Sequence, residues 1–450
     1  MTPRELRATG SLAAIFAMRL LGLFMIYPVF AGYAGHLQGA TPETIGLALG
    51  AYGLTQGLLQ IPFGLLSDRV GRKAVIAGGL VLFGIGSVVA ALATTIDGMI
   101  LGRILQGTGA VGSAILASVA DLTREEVRTR AMAMIGMTIG FSFVAAIVIG
   151  PLVAAAAGVP AIFWLTALLA VVGIAIAGFA VPTPPRLVRR GDAETVPALL
   201  GRVLVDGELL RLNFAIFALH AILTASFLAV PALVARTLHL ANERDWLVYL
   251  PVLAASVVLM VPAIIVAEKR QRMKEIFVAA IILLTASVTA LWLIGQFAVV
   301  LLAALIGFFT AFNVMEALLP SLVTKTAPAG AKGTATGVYS SGQFLGIFVG
   351  GAIGGWALAA GGPRGVFAAA VVLALVWLLV ALTMRRPGAY SSYLAPLRTT
   401  ERGEAGALAA RLAAVPGVVE AALAFDEGVV HLKIDRHRFD PAAVARIVGG

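Results

Sequence analysis

The stretch GLLSDRVGRK, from Gly64 to Lys73, decides the fold. It is a short turn holding Asp68, Arg69, Arg72 and Lys73, set between apolar runs near 44 to 66 and 74 to 94. Each run has about the 20 residues that carry a helix through roughly 30 Å of hydrocarbon. A lone apolar span must satisfy its own backbone hydrogen bonds in lipid, so these runs are read as helices. Working outward, similar runs lie near 12 to 34, 98 to 119, 132 to 157, 160 to 181, 209 to 234, 246 to 267, 275 to 295, 297 to 321, 333 to 358 and 364 to 384. The layout is six spans, a polar stretch from Pro182 to Gly207, then six more. With 60% apolar residues, 12% charged residues and a mean hydropathy of +0.97, the chain has far more apolar surface than a water-soluble core absorbs.

The formal charge of +10 and the isoelectric point near 10.3 suggest nucleic-acid binding only until the basic residues are placed. They cluster in the short loops. Alternate loops, both ends of the membrane region and the central linker hold 21 lysines and arginines, whereas the opposite side holds Arg236, Arg244 and Arg364. That asymmetry puts both termini and the linker in the cytoplasm of a multi-pass protein, with no nucleic-acid partner expected. The N-terminal run follows Arg4 and Arg7 as a signal peptide would, but its length marks it as a first, uncleaved span. The chain has no cysteine, which excludes disulfides, thiol nucleophiles and thiolate metal sites. The sequence holds no phosphate-binding Gly-x-x-x-x-Gly-Lys-Ser/Thr loop and no nucleophile and base arrangement, so an enzyme or an ATP-driven pump is not expected.

A shift of about 202 residues lays ILASVADLTREEVRTRAMAMIG (115–136) over ALLPSLVTKTAPAGAKGTATGV (317–338). The halves repeat, and a transporter with a site between them near mid-membrane explains this. The expected domains are therefore a bundle at 1–182, a cytoplasmic linker at 183–207, a second bundle at 208–386 and a separate tail at 390–450. In the tail, LAPLR (394–398), GEAGALAARLAAVPG (403–417), Val418 to Ala424, Val429 to Ile434 and DPAAVARIV (440–448) read as strand, helix, strand, strand, helix. This order predicts a small α+β, ferredoxin-like domain whose last strand is short or missing.

Ionisable residues inside spans are expensive and mark solute or ion pathways. In the fourth span, LGRILQGTGA places Arg103 mid-helix with Gln106 behind it, and the first span carries Arg19. The seventh holds His220, a residue type that titrates near neutral pH. The tenth holds Asn313 and Glu316 one turn apart, and Glu316 is the one acid plainly inside a span, a natural proton carrier. These residues are the candidate proton and substrate cavity. An arginine snorkelling to the headgroups and a histidine satisfied in the core are the bland alternatives for Arg19 and His220.

The loop with Gly64, Asp68, Gly71 and Arg72 resembles the hallmark cytoplasmic loop of the major facilitator superfamily. The resemblance implies a twelve-helix fold of two parallel six-helix repeats. It also implies that Asp68 braces a helix N-terminus of the other half, that Arg72 pairs with Asp121, and that this group switches conformation. GFSFVAAIVIGPLVAAAAG (140–158) is similar to the family's antiporter motif in Gly150 and Pro151, though alanines stand where more glycine is wanted. With AYGLTQGLLQIPFGLLSDRVGRK, FNVMEALLPSLVTKTAPAGAKGTATGVYSSGQFLG and the small tail, the chain resembles YajR-type drug and proton antiporters. The resemblance implies export of hydrophobic or cationic drug-like compounds by alternating access. The driving force would be the proton gradient, with no cofactor or metal, protons and a small molecule as partners, and a monomer in the bilayer. Alternatives are a proton-linked importer of a small solute and a membrane sensor signalling through the tail.

Overall fold

The computed structural model describes residues 1–182, 197–240, 246–385, 390–397, 405–425, 428–435 and 438–449. The first six spans are built from α1 (Pro3–Phe24), α2 (Phe30–Ala34), α3 (Pro42–Val70), α4 (Arg72–Ala91), α5 (Ile96–Thr108), α6 (Gly112–Leu122), α7 (Glu125–Ala157) and α8 (Val159–Phe179). Then α9 (Pro197–Val205) precedes α10 (Gly207–Phe227), α11 (Val230–Leu238), α12 (Trp246–Lys269), α13 (Met273–Ile294), α14 (Ala298–Thr326) and α15 (Lys332–Leu382). Ten helices among the described residues are long and apolar enough to cross a membrane, α5 and α6 counting together and α15 once. Inside α15, Gly361 and Gly362 leave helical geometry ahead of Pro363, so it is two spans folded at a kink. The 29-residue α3 is long enough to cross but carries five Gly, two Gln and two Thr; with it and both arms of α15, twelve spans result.

Local chemistry sets the breaks. The first span stops at Met25 and restarts at Phe30, around Pro28, which has no N–H to donate. The seventh span stops at Phe227 and restarts at Val230, a position equivalent under the repeat shift. The first helix also begins earlier than hydropathy suggests. Thr2 and Glu5 form a reciprocal capping box that starts the helix at Pro3, nine residues before the expected span. The stretch read as linker holds one element missed from sequence, α9, while 183–196 lies outside the described residues.

Glycines bring the two bundles together. A Cβ on Gly351 of α15 would lie 2.9 Å from both N and Cα of Gly50 on α3, and one on Gly355 would lie 2.7 Å from the Pro42 carbonyl oxygen. Gly46, Gly53 and Gly57 meet the same face of α15. Backbone packs on backbone there, as small residues allow between membrane helices.

The tail has β1 (Tyr390–Pro396), α16 (Ala405–Ala413), β2 (Val418–Ala424), β3 (Val429–Asp435) and α17 (Pro441–Gly449). Its three strands are antiparallel in the order β1-β3-β2. Strand periodicity divides the faces of β3: Val430, Leu432 and Ile434 join Leu412 and Val444 in a small core. From the other face, the Lys433 ammonium donates to the Thr326 and Ala327 carbonyls at 2.9 and 3.3 Å. Glu420 of β2 accepts from the Ala329 N–H and pairs with Arg202 of α9, both at 3.1 Å. The sheet thus sits on the loop between α14 and α15.

Candidate functional site

The turn between α3 and α4 depends on Gly71, whose φ of 106° suits glycine. It delivers Arg72 into a pocket of acids. Its Nε donates to Asp121 at 3.1 Å, while its Nη1 donates to Ser67 at 2.6 Å and to Asp68. The three charged side chains are 3%, 3% and 8% exposed for Arg72, Asp121 and Asp68. Gly64 lends its carbonyl to the Ser67 hydroxyl at 2.6 Å, and a Cβ there would meet Ser113 of α6 at 3.1 Å. The contact found for Asp68 is with Arg72, inside its own bundle, where the resemblance led us to expect a helix of the other half.

A second polar group lies within the first bundle. Arg19 of α1 donates through Nη2 to the Tyr52 hydroxyl at 2.7 Å and to Gln56, both on α3. Gln56 passes a hydrogen bond to Gln60 at 2.8 Å. Arg103 of α5 donates to Gln106 at 2.7 Å and to the Leu49 carbonyl at 3.4 Å, and Gln106 donates to Ser87 at 2.8 Å. Arg19 and Arg103 are buried at 2% and 0% exposure, so neither snorkels.

The third group lies in the second bundle. His220 of α10 has Nε2 3.5 Å from Glu316 Oε1. Its Nδ1 faces the Ile216 carbonyl at 3.3 Å, and Nε2 meets the Gln343 amide at 2.9 Å. Asn313 donates to Ser256 of α12 at 2.9 Å. Phe24, Ile139, Gly140 and Phe143 of the first bundle and His220, Phe312, Asn313 and Glu316 of the second line one small cleft of about 20 Å³. The structure therefore brings His220, Asn313 and Glu316 together, whereas Arg19, Arg103 and Gln106 form a separate group. The expected single set divides in two. The wall of the cleft is aromatic, with Phe24 edge-on to Phe143 at 5.0 Å and Phe143 tilted to Phe312 at 5.1 Å.

Gly150 packs elsewhere. A Cβ there would strike the Met25 backbone, where the first span breaks, and Pro151 follows inside α7. Tyr52, Gln56, Gln60 and Gln343 were missed from sequence. Gln56 and Gln60 were visible as amides one turn apart in an apolar run, while Gln343 had no signal beyond its polarity. Among the described residues no group of three metal-ligating side chains occurs.

Two bundles joined through glycine faces, a buried arginine and acid turn, and a cleft with walls from both bundles define a membrane transporter. The sequence pattern of the Major Facilitator Superfamily matches residues 12–351 and 212–410, and the chain belongs to that family. It is 45% identical over 435 residues to the inner membrane transport protein YajR of Escherichia coli (strain K12), spanning 97% of this chain and 95% of that one. It is 28% identical over 354 residues to the multidrug resistance protein MdtH of Aeromonas salmonicida (strain A449), covering 75% and 84% of the two. A bacterial homologue of the human lysosomal transporter Spinster, solved inward-facing and occupied, has the same fold at a TM-score of 0.67 and 13% identity, over 85% of this chain and 97% of that one.

Proposed function

We propose that the protein is a proton-coupled exporter of hydrophobic, drug-like compounds that works by alternating access in a bacterial inner membrane, with both termini cytoplasmic. The observation that carries this reading is the Glu316 and His220 pair, 3.5 Å apart on a cleft walled by both bundles. A carboxyl facing an imidazole can take up and release a proton where the two bundles meet. One charge crossing 100 mV is worth about 2.3 kcal/mol, enough to bias which side of the protein is open. Residues 1–182 and 208–386 are the rocking units, 183–207 link them, and 390–450 regulate. The Asp68, Arg72 and Asp121 group, with Gly64 and Gly71, is the conformational switch, and Gly150 with Pro151 is a flexing point beside the broken first span. The protein works as a monomer. MdtH, a relative named for multidrug resistance, supports drug-like cargo. The buried charges against α3 are the arginines Arg19 and Arg103, which disfavours cationic cargo.

The test is flux of candidate compounds in proteoliposomes under an imposed pH gradient, with wild type and Glu316→Gln compared. Gradient dependence should vanish in the variant; equal dependence in both removes Glu316 from the mechanism. Everted vesicles acidified inside should accumulate a dye, which an importer would not do.

A further inference from the structure

The first bundle buries two cations without an anion. Arg19 and Arg103 find no carboxylate partner among the described residues. The same bundle contains a comparison: Arg72, equally buried, is held by both Asp68 and Asp121. Burying a charge is costly unless it is paired, and a neutral side chain of similar size would fill either position without that cost. The two guanidinium groups also flank one ring, with Cζ atoms 5.9 and 5.2 Å from the Tyr52 centroid.

Their hydrogen-bonding capacity is mostly unspent. Each guanidinium has five N–H donors in a planar fork that matches a carboxylate. The bonds found go to neutral acceptors, namely the Tyr52 hydroxyl, the Gln56 and Gln106 amides and the Leu49 carbonyl. Nε of both arginines is buried with no acceptor. These donors are set out for an oxyanion.

Access is built into the helix that organises them. Tyr52 lies on the side of α3 that meets α15, where the Phe344 ring of the other bundle packs on it at 6.1 Å between centroids. Gly53, next along α3, meets the Phe344 backbone directly. When the bundles part, Phe344 leaves with α15, and Tyr52 and the cations beside it are uncovered.

We propose that Arg19, Tyr52 and Arg103 form a subsite for the anionic group, carboxylate or sulfonate, of an amphipathic substrate. The apolar part of that substrate lies against the Phe24, Phe143 and Phe312 wall. This deepens the transporter reading by naming the charge class of its cargo.

The experiment uses the full chain, purified in detergent, and its thermal unfolding with 1-naphthoate, 1-naphthamide, 1-naphthylmethylammonium or sodium sulfate at matched concentration and ionic strength. Naphthoate should raise Tm with an apparent affinity at least tenfold above the amide and the ammonium. Sulfate, lacking the apolar part, should give no shift. The naphthoate shift should be lost in Arg19→Gln and Arg103→Gln and be partly kept in Arg19→Lys. Equal shifts for naphthoate and naphthamide, an equal shift from sulfate, or an unchanged response in both Gln variants would overturn the assignment. The ligand series on wild type decides the matter even if the Gln variants fail to fold. Gradient-driven flux of uncharged compounds with no anion preference would remove this subsite and leave the transport reading intact. Selective naphthoate binding without gradient dependence would do the reverse.

Discussion

Adding one methyl at Gly351 should drive the two bundles apart. An alanine Cβ there would run into the Gly46 carbonyl oxygen and lie 2.9 Å from N and Cα of Gly50, against an ordinary carbon contact of about 3.5 to 4.0 Å. All three opposing atoms belong to the α3 backbone and cannot rotate away, so α3 and α15 must separate by roughly one ångström. Overpacking of this kind costs about 1 to 3 kcal/mol, and the cost falls only on the arrangement in which α3 touches α15. The gain in helix propensity from Gly to Ala, about 1 kcal/mol, is present in both arrangements and cancels. The balance between them should therefore shift about 5- to 150-fold toward the state with these helices apart. The natural chain has no cysteine, so Glu43→Cys and Ala359→Cys provide a spin-label pair without background. Gly136→Ala, with nothing within 4 Å of its added methyl, is the control. A longer distance population in Gly351→Ala is expected; a distribution matching the control refutes the reasoning.

Two more expectations concern the cytoplasmic ends. Arg72→Ala strips two buried carboxylates of their shared cation and should cost about 3 to 5 kcal/mol, more than the roughly 1 to 3 of Asp68→Asn; thermal unfolding in mild detergent gives the order, and a reversed order defeats the argument. Burial under the α14–α15 loop holds the Lys433 ammonium below the usual lysine range, while an undocked tail returns it to about 10.4. The docked form then binds fewer protons, so docking should tighten as pH rises through that window, by at most about 1.4 kcal/mol per pH unit. Label distances between Thr324→Cys and Ala442→Cys would show this, and Lys433→Met should flatten the slope.

The spans were legible because lipid demands long apolar helices, and the kink at Gly361–Gly362 because Gly-Gly-Pro cannot continue one. The tail order followed from alternation in VVHLKI and from the Asp-Pro helix start. The nine-residue α9 was hidden by its polar surroundings and by its shortness; it packs against α10 and α15. At the site, His220, Asn313 and Glu316 could be named from their cost in a span. Their arrangement could not, because each partner is distant in sequence: Gln343 is 123 residues from His220 and Ser256 is 57 from Asn313. The separation of Arg103 from Glu316 was invisible for the same reason, as a span's sequence says which residues it carries and not which neighbour each one faces.

The two repeats are fastened by opposite ends of the polypeptide. Glu5, near the start, grips Arg124 through its N–H at 3.1 Å and its Nε at 2.9 Å. Under the 202-residue shift the counterpart of Arg124 is Thr326, and its carbonyl is held by Lys433, near the finish. The amino-terminal strap is a few residues of helix, while the carboxyl-terminal one is a small folded module with a core of its own. Under the regulatory role proposed for the tail, whatever loosens that module acts first on the α14–α15 loop and on α9, and leaves the Glu5 strap of the first repeat untouched.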